Sequence, residues 1–175
     1  MVAGAMVGLG VPMGDDLPVN IEDRSFNPDG RSEGLDEFLQ TLPEAIAERN
    51  QKFDHWGWKY PRAERYLEKI ADDLRNLHLV VVLRDPVPAC LRTLKRGEHD
   101  PMDVVRKRIK MEARNMAMVE RLCCPTLLVS YERAASRPEA FLQELAAFLE
   151  VQMPQDISAI LEFMTPGQYK KPPQA

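Results

Sequence analysis

No apolar run in this 175-residue chain approaches the length of a bilayer-spanning helix, which excludes a transmembrane helix and a membrane partner of that kind. The apolar start, Met1 to Leu9, lacks a positive n-region, so it does not read as a signal peptide. Cysteine is scarce and odd in number. Cys90, Cys123 and Cys124, two of them adjacent, fit reduced thiols in a cytoplasm better than a disulfide framework. His55, His78 and His99 are scattered and no cysteine pair has zinc spacing, so no metal site is expected. Net charge is −4, which gives no reason to expect nucleic acid as a partner. Internal repeats and low-complexity tracts are missing too, and the length suits a single domain over 1–175.

What is present is organised around Leu79-Val80-Val81-Val82-Leu83, followed at once by Arg84-Asp85-Pro86. Five aliphatic residues, three of them β-branched, suit a strand buried on both faces, and the Asp-Pro marks its end. Ligands of open α/β sheets sit outside the carboxyl ends of the strands. Arg84 therefore stands where an anion would bind, and its guanidinium fork matches two phosphate oxygens at once. A simple pairing with a nearby carboxylate is the competing expectation. The segment from Arg92 to Arg114 is net positive within an acidic chain, which suits an anionic ligand or a solvated helix face.

Helical patterning is expected over Met1 to Leu9, and Gly10 to Gly34 reads as a long irregular segment. A helix follows from Leu35 to Arg49, its stripe carried by Phe38, Leu42 and Ile46, with Pro43 expected to kink or split it. Phe53 to Tyr60 has the look of a short aromatic strand, and Pro61 of a helix start. Beyond the main strand, helices are expected from Val87 to Arg96 and from Pro101 to about Leu122. The second has Val105, Ile109, Met116 and Val119 as its apolar stripe. Thr126 to Tyr131 reads as a second buried strand. Ser136 and Glu139 suggest a capping box for a helix through Glu150, and a last helix spans Asp156 to Met164 before an extended tail. This alternation argues for an α/β fold, a parallel sheet flanked by helices.

Three separated motifs carry a resemblance. Val80 to Pro86 resembles the strand and arginine loop that bind the 3′-phosphate in sulfotransferases. Ser130-Tyr131-Glu132-Arg133-Ala134, with Pro138 and Phe148-Leu149 after it, resembles that family's later strand ending in Tyr-Glu and its helix ending in Phe-Leu. Trp56-Gly57-Trp58-Lys59-Tyr60-Pro61 resembles the Trp-x-x-Lys-x-Pro segment near the sulfuryl group in bacterial members, and Met1 to Leu17 is similar to the helix and turn of the same group. The resemblance implies a P-loop nucleoside-triphosphatase-like (sulfotransferase) fold lacking its first strand. It also implies transfer of a sulfuryl group from 3′-phosphoadenosine 5′-phosphosulfate (PAPS) to a hydroxyl or amine of a small-molecule or glycan-like acceptor, with no metal. By that resemblance Arg84 holds the 3′-phosphate of PAPS or its product PAP, and Lys59 lies near the sulfuryl group as the catalytic cation. Tyr60 and His55 are candidate bases that match no family position.

Two departures shape the expectation. Arg92, with Thr93 beside it, stands where the family usually has a phosphate-binding serine, so both are carried as cofactor-binding residues. The family's Gly-x-x-x-Ser-Gly-Thr loop for the 5′-phosphosulfate, and its strand, would precede Met1. Either the reading frame is a shortened one, the preferred expectation, or this variant has lost donor binding, and transfer is expected to be impaired. Two alternatives stay open. One is a small-molecule kinase relative, against which stands the lack of a Gly-x-x-x-x-Gly-Lys-Ser/Thr segment. The other is a non-catalytic interaction protein that keeps the fold.

Overall fold

Two parallel strands, β1 (Leu79–Leu83) and β2 (Thr126–Ser130), form the sheet of the computed structural model, in the register Leu79 to Thr126 through Leu83 to Ser130. The structure describes residues 1–15, 17–29, 31–32, 34–94 and 100–165, without the side chains of 89 and 92–94. The fold is mixed α/β, with helices on both faces of this small sheet. Side chains alternate across a strand, so Val80 and Val82 share one face with Leu127 and Val129, and Leu79, Val81 and Leu83 point the other way. The first face packs on α1 (Val2–Gly8), α7 (Pro138–Phe148) and α8 (Ser158–Met164), around Ala5, Leu142, Leu145 and Ile160. The second packs on α2 (Leu35–Lys52), α3 (Leu67–Ile70) and α5 (Pro101–Leu122), around Phe38, Leu42, Tyr66 and Met118.

Burial of the sheet is less complete than its aliphatic content suggests. Val82 is 38% exposed and Leu128 49%, because a pair of strands has two open edges and, among the described residues, no third strand shields them. The aromatic segment expected as a strand is not one. Among the described residues, 53–60 have no ladder partner; the Gly57 N–H donates to the Pro12 carbonyl at 2.9 Å, and the Phe53 N–H to the Arg49 carbonyl at the end of α2 at 3.0 Å. Its rings find their contacts elsewhere: Trp58 stacks on Phe26, with centroids 4.7 Å apart, and on Trp56 at 5.6 Å.

Helix α2 runs unsplit through Pro43, whose exposed position leaves the freed carbonyl one turn back to water. Pro61 opens no continuous helix; 3-10 turns at Ala63–Arg65 and Ala71–Asp73 bracket the four-residue α3. The expected capping box is also absent. Ser136 ends a separate short helix, α6 (Tyr131–Ser136), and its hydroxyl donates to the Arg133 carbonyl at 3.0 Å. Ser130 caps that helix instead, accepting from the Arg133 N–H at 3.3 Å, and α7 begins on Pro138 with no side-chain cap. α4 covers Pro86–Leu94; its expected end at Arg96 and the tail 166–175 lie outside the described residues.

Two glycines are fixed by close approach. A Cβ on Gly4 would stand 1.9 Å from the Phe163 ring, which is how α1 reaches α8. Gly14 has φ +138°, and a Cβ there would meet the Asp23 carboxylate at 2.8 Å. That carboxylate is 4% exposed and takes a bond from the 8% exposed Arg49 at 2.9 Å, a buried ion pair joining the irregular segment to α2.

Candidate anion-binding site

A cavity of about 950 Å³ lies along β1. Leu79 to Val82 and Arg84 line it, β2 contributes nothing, and the opposite wall comes from the segment 56–61. α5 supplies Arg108, Met111, Asn115 and Met118, spaced 3, 4 and 3 residues apart so that they share one helix face. That face differs from the expected stripe: Ile109 is 53% exposed, while Met118 is 4%.

Arg84 emerges at the carboxyl end of β1, as the aliphatic run implies. Its guanidinium carbon sits 4.2 Å from the centroid of the Tyr131 ring, at the start of α6. The Nε is buried without a hydrogen-bond partner, and among the described residues no carboxylate pairs with the guanidinium. The competing expectation of a carboxylate pair is therefore not met. Glu112 of α5 accepts from the Arg84 backbone N–H at 3.3 Å instead. A second such bond fixes the loop: the Asp85 N–H donates to Glu132 at 3.1 Å, and Asp85 in turn accepts from the Val87 N–H at 2.8 Å, which starts α4. Glu132 thus ties together the loops after both strands.

Lys59 lines the same cavity but is already engaged. Its Nζ donates to Glu22 at 2.7 Å and to the Asn20 carbonyl at 3.0 Å. Both partners come from the irregular segment more than 35 residues away, which no local spacing announces. Tyr60 is 8% exposed, accepts from Arg65 at 3.0 Å, and has its hydroxyl pKa raised mainly by burial, so it is a poor base. His55 is exposed at the cavity mouth. Arg92 and Thr93 lie on α4, which follows Arg84 directly, but their side chains are outside the described residues.

Arg108 is the residue that sequence reasoning passed over. It stood in the net-positive stretch as one cation among several; its place one turn before Met111 and two before Asn115 is the signal that it faces inward. Among the described residues it has neither an ion pair nor a hydrogen bond to its side chain. The cavity thus combines a mixed apolar and polar lining with two guanidiniums that have no ion pair or hydrogen bond among the described residues, which suits an anion carrying a flat or apolar body. Among the described residues no group of histidine, cysteine or carboxylate side chains is placed to hold a metal, and no helix is long and apolar enough to cross a membrane. Comparison with protein-family models, with curated proteins and with solved structures gives no match.

Proposed function

We propose that this chain is a sulfotransferase-like domain of the P-loop nucleoside-triphosphatase-like type, and that the cavity beside β1 receives PAPS or PAP. The observation that carries this reading is Arg84: a guanidinium at a strand's carboxyl end, stacked on an aromatic ring, lining a large cavity, with a buried Nε bonded to nothing. An unsatisfied buried donor costs about 1–3 kcal/mol, and a phosphate oxygen would remove that cost. In this reading Arg84 binds the 3′-phosphate, helped by Arg92 and Thr93 from α4, and Lys59 exchanges Glu22 for a sulfuryl or 5′-phosphate oxygen. The acceptor oxygen or nitrogen bonds to sulfur as the bond to the 5′-phosphate oxygen breaks, and the acceptor proton passes to water. The protein's part is positioning and charge stabilisation.

Thermal unfolding with and without adenosine 3′,5′-bisphosphate tests the reading. The expected result is a rise in Tm for the wild type that is absent in Arg84→Gln. An equal rise in both proteins, or none in either, contradicts it.

A further inference from the structure

The cavity wall formed by β1 is an open strand edge. The Leu79 N–H donates across to the Pro125 carbonyl at 2.9 Å, so the alternate residues Leu79, Val81 and Leu83 direct their backbone groups at β2. Val80 and Val82 must direct theirs the other way. Among the described residues the sheet has no strand on that side, and it is this edge that borders the cavity. Backbone N–H and C=O groups at a two-residue pitch beside a cavity are a template for another strand, and a small ligand cannot satisfy such a row. Five residues of strand extend over about 17 Å, which the cavity follows from Leu79 to Arg84. Val11, Met13, Met111 and Met118 give its lining apolar surface, and Asp54, Lys59, Arg75 and Glu150 line it as well. Arg84 sets a positive charge at the carboxyl end of β1, with Arg108 also in the lining.

We propose that the outer edge of β1 takes up an extended peptide of a partner protein as an added strand, with aliphatic side chains filling the cavity and an acidic residue at its end against Arg84. The backbone bonds of Val80 and Val82 give affinity. The alternation of side chains and the terminal acid give selectivity. This inference does not rest on the nucleotide reading. Because both ligands would draw on Arg84, each excludes the other.

The test uses a soluble synthetic peptide, Lys-Thr-Val-Ile-Val-Thr-Glu, and two singly N-methylated versions of it, one methylated on a residue bonding towards β1 and one on its neighbour. Both tryptophans of the chain, Trp56 and Trp58, line the cavity, so their fluorescence reports occupancy. Amide hydrogen exchange reports the pairing. The expected result is a saturable fluorescence change, exchange slowed about tenfold or more at Val80 and Val82 with little change at Leu79, Val81 and Leu83, and loss of binding with one N-methyl peptide only. Replacing the peptide's Glu by Gln should weaken binding. Four results would overturn the proposal: no fluorescence change, binding with unchanged exchange at Val80 and Val82, equal binding of both N-methyl peptides, or slow exchange at those two amides in the free protein, which would mean that the edge is already covered by the chain or a second copy. Peptide binding without bisphosphate binding would leave this inference standing and remove the nucleotide reading; the reverse result does the opposite.

Discussion

The guanidinium of Arg84 lies on the ring of Tyr131, 4.2 Å from its centroid, and so bridges the ends of the two strands. Arg84 follows β1 and Tyr131 follows β2, and parallel pairing in register brings the two exits side by side. The ring contact leaves the guanidinium's hydrogen-bonding groups without a partner among the described residues, so they remain available to an anion. Tyr131→Phe should keep adenosine 3′,5′-bisphosphate affinity near that of the wild type. Tyr131→Leu should weaken it by about threefold, the scale of an exposed cation–π contact. Calorimetric titration of the two variants distinguishes ring from hydroxyl.

Lys59 is held by Glu22 at 2.7 Å, with both side chains partly buried. Glu22→Gln removes a negative charge from the cavity rim and should raise bisphosphate affinity about twofold to fivefold at low salt, an advantage that fades as salt is added. Lys59→Met should lower affinity. If Lys59→Met lowers only Tm and leaves affinity alone, the lysine is a structural strut and its assigned catalytic role fails.

Asp23 and Arg49 form a pair that water scarcely reaches. Asp23→Asn leaves Arg49 with only the exposed Asp15 at 3.3 Å, and should cost about 3 kcal/mol, near the lower end for breaking a buried pair. For a chain of this size that is a fall in Tm of about 6–12 °C. Adding Arg49→Met to the same protein should recover much of the loss, which urea unfolding of the single and double variants would measure.

Tyr66 gives the fold an alkaline limit. Its hydroxyl donates to the Phe26 carbonyl at 2.6 Å and accepts from the Trp58 indole at 3.0 Å, and burial drives its pKa well above the ordinary 10.0. The folded state keeps the proton where the unfolded chain has lost it. Stability from this group is therefore fully present below pH 10 and declines as pH rises beyond that value. Tyr66→Phe should be less stable at pH 7 by about 1 kcal/mol, yet show a flatter decline between neutral and alkaline pH. Urea midpoints of the two proteins across that range provide the check.

Much of this fold was legible where one signal dominated. The aliphatic run before Arg84-Asp85-Pro86 located β1 and the strand-end arginine, and Pro101 set the start of α5. Reading failed where a periodic pattern had two physical outcomes. The alternating rings of Trp56, Trp58 and Tyr60 fit a strand, but a strand needs a neighbour, and these rings had Phe26 and Tyr66 to stack on instead. On α5 the methionines fit two adjacent stripes, and only the position of β1 selects the one through Met111 and Met118. The partners of Lys59 and Arg49 were out of reach for a different reason: each comes from the irregular segment, whose path depends on the whole assembled core.

Calorimetric titration of the wild-type protein with adenosine 3′,5′-bisphosphate, set against adenosine 5′-monophosphate, tests the assigned role of Arg84 most directly, because the two nucleotides differ by the 3′-phosphate that this guanidinium is held to bind. The bisphosphate should bind at least about tenfold more tightly, the scale of one charge-assisted bidentate contact, and Arg84→Gln should bring the two affinities together. Equal affinities in the wild type, or a preference that survives Arg84→Gln, would contradict the account.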